Sequence, residues 1–136
     1  MIDRIAVAPG DRVLLVSIPA PEIVAGLARR LTHGLAVGLG GIDEVSAARR
    51  AARDFANVMF LTAPPDEIPW RDGFFSRAIE PRSVWPEPAA AREIARVLAG
   101  GAFFHLPDSG LPLENPPAGF VLVERAGGVT TLLRVA

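Results

Sequence analysis

The sequence predicts an α/β fold: a doubly wound, mostly parallel sheet that ends in an antiparallel hairpin. Three observations predict it. Short apolar runs without charge recur along the chain, as expected of strands buried on both faces. Between them lie stretches whose apolar residues fall three and four apart, the stripe of an amphipathic helix, and such alternation gives right-handed crossovers between parallel strands. The end of the chain differs, with two β-rich runs parted by Ala126-Gly127-Gly128, a hairpin signal.

Residues 13–18, VLLVSI, form the first expected strand. After Pro19-Ala20-Pro21 the period changes, and Ile23, Leu27 and Leu31, with Val24 and Ala28 beside them, mark a helix face. Pro21 suits a first helical turn, where its missing N–H is not needed, and Glu22 suits the positive end of the helix dipole. A buried strand turning sharply into a helix opens a nucleotide-binding α/β domain, yet the turn Ser17-Ile18-Pro19-Ala20-Pro21 holds no glycine. His33 is read as ending this helix, where a cation suits the dipole.

Residues 35–39, LAVGL, are a second strand ended by Gly40-Gly41. Residues 42–56 read as a helix with Ile42, Val45, Ala48, Ala52 and Phe55 on one face, acids in the first turn and arginines later, and Asn57 as its stop. Residues 58–62, VMFLT, give a third strand, followed by a proline-rich loop over 63–72. A fourth, weaker strand falls within 74–80. Residues 88–99 read as an alanine-rich helix with Ile94, Val97 and Leu98 inward, closed by Gly100-Gly101 as a left-handed cap. The fifth strand is expected at 102–106. Residues 107–118 hold Pro107, Pro112, Pro116 and Pro117 and are read as a loop. The hairpin pairs 120–125 with 129–135.

At 136 residues the chain is expected to be a single domain spanning 1–136. A net charge of −1 argues against a general attraction to nucleic acid or to an anionic membrane. All 14 basic residues are arginine, and lysine, tyrosine and cysteine are absent. Schiff-base chemistry, disulfides, thiolate nucleophiles and Cys-ligated zinc are thereby excluded. The first twelve residues do not read as a signal peptide, and no apolar run is long enough to cross a bilayer, so a cytoplasmic location is expected. Apolar residues make up 50%, enough to leave apolar surface uncovered and favour self-association, or else to form a small alanine-rich core.

Two stretches carry a resemblance. Residues 93–103, EIARVLAGGAF, and 65–75, PDEIPWRDGFF, resemble segments that precede the fifth and fourth strands of the class I S-adenosylmethionine-dependent methyltransferases. The resemblance spans about residues 11–106 and implies a Rossmann-like sheet of the methyltransferase type, with an adenosyl group over the first turn. By position it implies Ser17, Ile18, Pro19, Leu39, Gly40, Asp66, Trp70 and Glu80 as the equivalents of cofactor-binding residues.

The residue types at those positions depart from the family pattern. Leu15 stands for the acid that ends the first strand, and Ser17, Pro19 and Pro21 stand for glycines. Leu39 replaces the acid that holds the ribose hydroxyls, and the nearest acid, Asp43, is expected inside the next helix. Ala63 or Pro64 replaces the acid that meets the adenine amino group, with Asp66 or Glu67 a few residues out of place. Losing the ribose acid and one or two loop contacts removes roughly 3–5 kcal/mol, which turns a micromolar ligand into a millimolar one. The sheet is expected to begin near residue 12, with no helix before it to lie over the site, and 107–118 to be too short for a helix and a substrate-binding insertion.

Other candidates lie at the carboxyl edge of the sheet, where ligands of such folds bind. Glu80 and Arg82 could contact a ligand with Trp85 as a stacking wall, or form a surface salt bridge over a packed tryptophan. Trp70, with Arg71 and Asp72, could line the adenine pocket or plug a hydrophobic edge. His105, in an apolar strand, is read as a core residue. Two distant histidines give no metal signal. No serine stands in a nucleophile-elbow context. Gly38-Leu39-Gly40-Gly41 lacks the spacing of a phosphate cradle. The expected function is a methyltransferase-like module with no catalytic residues, no metal and no cofactor, associating with itself or another protein. The alternative is a divergent S-adenosylmethionine-dependent methyltransferase, or a binder of another small molecule, using Glu80, Arg82, Trp70 and Asp66.

Overall fold

A computed structural model describes residues 1–108 and 116–135. After a single 3-10 turn at Ile2–Arg4 come β1 (Arg12–Leu15), α1 (Pro21–Arg30), β2 (Leu35–Gly40), α2 (Ile42–Ala51), β3 (Val58–Thr62) and β4 (Phe75–Ile79). Then follow α3 (Pro88–Val97), β5 (Leu98–Pro107), β6 (Phe120–Ala126) and β7 (Val129–Arg134). One seven-stranded sheet runs in the order β3-β2-β1-β4-β5-β7-β6. Its first five strands are parallel, while β7 is antiparallel to both β5 and β6. The expected fold class holds. Within the hairpin, β7 is the inner strand and β6 the edge.

Alternation along each strand sorts the core into two layers. Leu14, Val16, Val37, Phe75 and Phe104 meet Ile94 and Val97 of α3 on one face. Val13, Leu15 and Ile79 meet Leu27 of α1 and Leu31 at its C-cap on the other, with Ile2 of the 3-10 turn and Ile5 just after it added. Val45, Ala52 and Phe60 continue that second layer toward β3. Toward the hairpin it is left open, and Phe103, Val121 and Val123 are exposed there.

Several sequence expectations are corrected. The buried stripe of α1 is Val24, Leu27 and Ala28, followed by the buried Leu31 at its C-cap, while Ile23 is exposed and the helix stops at Arg30, before His33. Helix α2 ends at Ala51 rather than 56, and Ile42, at 74% exposure, lies off its buried face. Asn57 does not stop α2. Its amide donates to the carbonyls of Ala28 and Leu31, capping the end of α1 at 2.8 and 2.9 Å. The glycine cap of α3 is also wrong. Leu98 turns straight from helix into extended backbone, and β5 starts there. Gly100 and Gly101 fall in an irregularity where β4 and β5 lose register, and Gly101 takes a left-handed φ of 78°. The hairpin signal is correct: Gly127 and Gly128 have φ of 59° and 80°, the mirror-image turn that follows the twist of paired strands. The loop expected over 107–118 lies largely outside the described residues.

Candidate functional site

The carboxyl ends of β1 to β4 open onto a cleft of about 480 Å³ lined by Val16, Ser17, Leu39, Gly40, Glu44, Thr62, Pro64 and Arg82, among others. This is where an open parallel sheet holds its ligands. Ser17, Leu39, Gly40 and Arg82 of the expected set therefore stand together. Ile18 and Pro19 line a neighbouring cavity of about 200 Å³ between α1 and α2, against Val24, Ala48 and Phe60. Glu80 and Trp85 line a third, of about 170 Å³, with Val16, Pro65 and Arg82 shared with the cleft. Asp66 is exposed on the loop before β4 and lines none of these cavities.

The β1–α1 turn explains the glycines of β2. A Cβ at Gly40 would stand 3.0 Å from Cδ1 of Ile18, and one at Gly38 would stand 2.9 Å from the ring of Phe60 and 3.4 Å from Ile18. The space left by these glycines is taken by side chains of this chain. Leu39, at the end of β2, is buried. The acid that reaches the cleft is Glu44, not Asp43. Glu44 accepts the Gly41 N–H at 3.1 Å and contributes to raising the pKa of Arg82, behind the dominant effect of Glu80. Sequence reasoning missed it, although an acid three residues after a turn glycine is half of a capping box.

Glu80 is the most enclosed charge of the site, 2% exposed at the end of β4. Its Oε1 accepts three bonds: from the Ser17 hydroxyl at 3.0 Å, the Arg82 N–H at 3.1 Å and the Arg82 Nε at 2.6 Å. The salt bridge read from the sequence exists, but its acid is buried while the Arg82 side chain is 65% exposed. Oε2 of Glu80 is buried without a hydrogen-bond partner, and so is Nε1 of Trp85. Each such orphan costs about 1–3 kcal/mol. Among the described residues these two side-chain atoms alone are left so.

Trp70 sits away from the cleft. Its ring packs on Phe74 and Phe75, with centroids at 5.3 and 5.7 Å, at the margin of the core. Arg96 of α3 ties that loop down. It bonds the carbonyls of Ile68 and Trp70, the Asp72 carboxylate at 2.7 Å and both oxygens of Glu93. Glu93 in turn accepts the Ile68 N–H at 2.9 Å. The two stretches that carried the resemblance are thus the two halves of one clamp.

On the opposite face His105 is buried in a chain of polar groups. Arg77 Nη1 lies 2.7 Å from His105 Nε2, and His105 Nδ1 lies 3.0 Å from Thr131 Oγ1. A guanidinium only donates, so Nε2 accepts and the ring proton sits on Nδ1. Burial first, then the Arg77 charge, lowers the pKa of His105 to about 4. Its lone pair is engaged by Arg77. No cluster of metal-ligating side chains occurs among the described residues. No helix among them is long and apolar enough to cross a membrane.

No protein-family model and no curated protein matches the sequence. Solved structures do match. A methyltransferase from Aquifex aeolicus described as S-adenosylmethionine-dependent superposes with a TM-score of 0.79 at 16% identity, over 94% of this chain and 84% of that one. A chain of the Haloferax volcanii complex between the Trm112 methyltransferase activator and a methyltransferase gives 0.74 at 18%, over 99% and 86%. The YcgJ protein of Bacillus subtilis gives 0.67 at 22%, over 78% of this chain but only 47% of that one, so this chain spans about half its length. In strand order, hairpin and layering, the chain has the fold of the class I S-adenosylmethionine-dependent methyltransferases.

Proposed function

We propose that the chain is a methyltransferase-fold module that works through association with a protein partner and does not hold S-adenosylmethionine in the usual pose. The observation that carries this reading is Ile18. Its side chain is seated over Gly38 and Gly40, in the space where the fold leaves room beside the first turn. Leu39 adds no polar grip for a sugar, and Glu44 is engaged by Gly41. The surface for association is the hairpin side of the sheet. There β6 is an edge strand with Val121, Leu122 and Val123 exposed, and an apolar edge of this kind recruits another chain. The Haloferax volcanii structure with this fold is itself a complex with a protein. A second copy of this chain is the partner we favour.

A melting measurement tests the reading. A micromolar ligand at 1 mM stabilises by about 4 kcal/mol, which raises Tm by roughly 10 °C or more in a domain of this size. Neither S-adenosylmethionine nor S-adenosylhomocysteine at 1 mM is expected to move Tm by more than about 2 °C. Sedimentation of the same sample is expected to show a dimer. A large shift with either compound supports the second reading, a divergent S-adenosylmethionine site. Glu44 and Arg82, opposite charges lining one cleft, favour that reading.

A further inference from the structure

Resting on the association proposed above, we infer that two copies of this chain pack face to face through the uncovered strip of β5, β7 and β6, with Arg4 of each set against Glu124 of the other. The strip exists because the second layer of the core stops short. Leu27 and Leu31, with Ile2 and Ile5, cover β1 and β4 on this face, while α3 packs on the opposite one. The register lines Phe103, Leu133 and Val121 across the three strands, with His105, Thr131 and Glu124 in the next row. Phe103, Val121 and Val123 are exposed and Leu133 is half-buried, an apolar patch continuous over three strands.

A second copy fits this face because the groove is its own complement. About 900 Å³ in volume, it is lined by Arg4 and Ile5 from the N-terminal segment and by Val123 and Glu124 from the edge strand, over Phe103 and Leu133. The polar groups of its floor are already engaged: Arg77 with Asp11 and His105, and His105 with Thr131. The two exposed charges are not. Arg4 donates to the Gly127 carbonyl at 2.7 Å but pairs with no carboxylate, and Glu124 has neither a hydrogen bond nor an ion pair among the described residues. In a twofold contact residue i of one copy meets residue j of the other, and j meets i. One cation and one anion in the same groove therefore make two ion pairs, which an unrelated protein would have to match with charges of its own. Strand pairing along the β6 edge, by contrast, uses backbone groups and neither charge.

Charge reversal tests the arrangement. Sedimentation of the full chain is run on the wild type, Arg4→Glu, Glu124→Arg and an equimolar mixture of the two variants, with circular dichroism to check folding. The wild type is expected to dimerise, and each variant alone to do so about tenfold or more weakly, because like charges then meet twice. In the mixture both contacts regain opposite signs, and a dimer with one copy of each variant is expected at about the wild-type affinity. Val121→Glu is expected to weaken the dimer by a similar factor. Leu122→Glu is expected to leave it intact, since Leu122 lies beside Leu132 on the other face. A wild-type monomer overturns both this inference and the association with a second copy. A dimer that survives both reversals or Val121→Glu, a mixture that stays monomeric, or a dimer lost in Leu122→Glu overturns the face alone and leaves the association standing.

Discussion

The two ends of α3 treat their polar atoms in opposite ways. At its last turn Arg96 spends every arm of its guanidinium on Ile68, Trp70, Asp72 and Glu93, so the loop before β4 is held by bonds that are all made. At its first turn no side chain caps the helix, and beside that turn Glu80 Oε2 and Trp85 Nε1 are buried with nothing bonded to them. The first arrangement stabilises the fold. The second withholds stability at the sheet edge where ligands of such folds bind. The difference teaches that one end of the helix has every polar arm bonded while beside the other two buried polar atoms are left unbonded.

The largest effect expected from disturbing this contrast is at the finished end. Arg96→Met keeps the aliphatic stem and deletes five hydrogen bonds, three of them to carboxylates at 2.6, 2.7 and 3.1 Å. We expect a loss of about 3 kcal/mol, or roughly 10 °C in Tm, measured by thermal and urea unfolding. A loss below about 1 kcal/mol would mean that the loop is held by its aromatic packing, and that the two ends of α3 do not differ as described.

A second satisfied network, on the far face, sharpens the comparison through pH. His105 titrates near 4 in the folded chain against an ordinary value of 6.5. The unfolded chain thus binds a proton first as pH falls, and stability is fully present above about 6.5 and drains away toward pH 4. The shift corresponds to roughly 3 kcal/mol over that window. Asp11 adds a later loss. Burial alone would raise its pKa, but the Ala8 N–H, the Ser76 hydroxyl and Arg77 together hold it below the usual 3.8, so its share goes only as pH falls further. Chemical denaturation between pH 7 and 4 is expected to show the His105 slope, and His105→Gln to flatten it. An unaltered slope in that variant would place the acid sensitivity elsewhere.

The same contrast decides how much was legible in the sequence. The run VLLV is a strand buried by the sheet itself, whereas VMFLT forms the edge strand with only Phe60 buried, and the order of the strands follows from the helices between them. The clamp was legible only as two motifs. Nothing in either stretch says that Arg96 reaches Ile68, since that bond depends on how β4 and β5 align. Ser17 and Glu80 are 63 positions apart and meet only because β1 and β4 are neighbours. Helix ends failed for a related reason. Asn57 and Gly100-Gly101 are residues that stop helices, but tertiary structure uses one to cap a different helix and the others to shift a strand. Gly38 and Gly40 invited a reading in terms of a ligand, whereas the neighbours that need their missing Cβ are Phe60 and Ile18.

The smallest expected effect is the most telling, because it has the opposite sign from intuition. Trp85 is a large, half-buried residue packed on the core, and truncating it would ordinarily cost stability. Trp85→Phe removes little apolar bulk, however, while deleting a buried donor that bonds to nothing. The penalty for that donor disappears and the ring contacts largely stay, so the two changes nearly cancel. We expect a change within about 0.5 kcal/mol, and a small gain is consistent with the argument. Urea unfolding of the full chain measures it against Arg96→Met under the same conditions. A loss above about 1.5 kcal/mol would show that the indole N–H is bonded in solution. The first turn of α3 would then be as complete as the last, and the contrast between the two ends would fall.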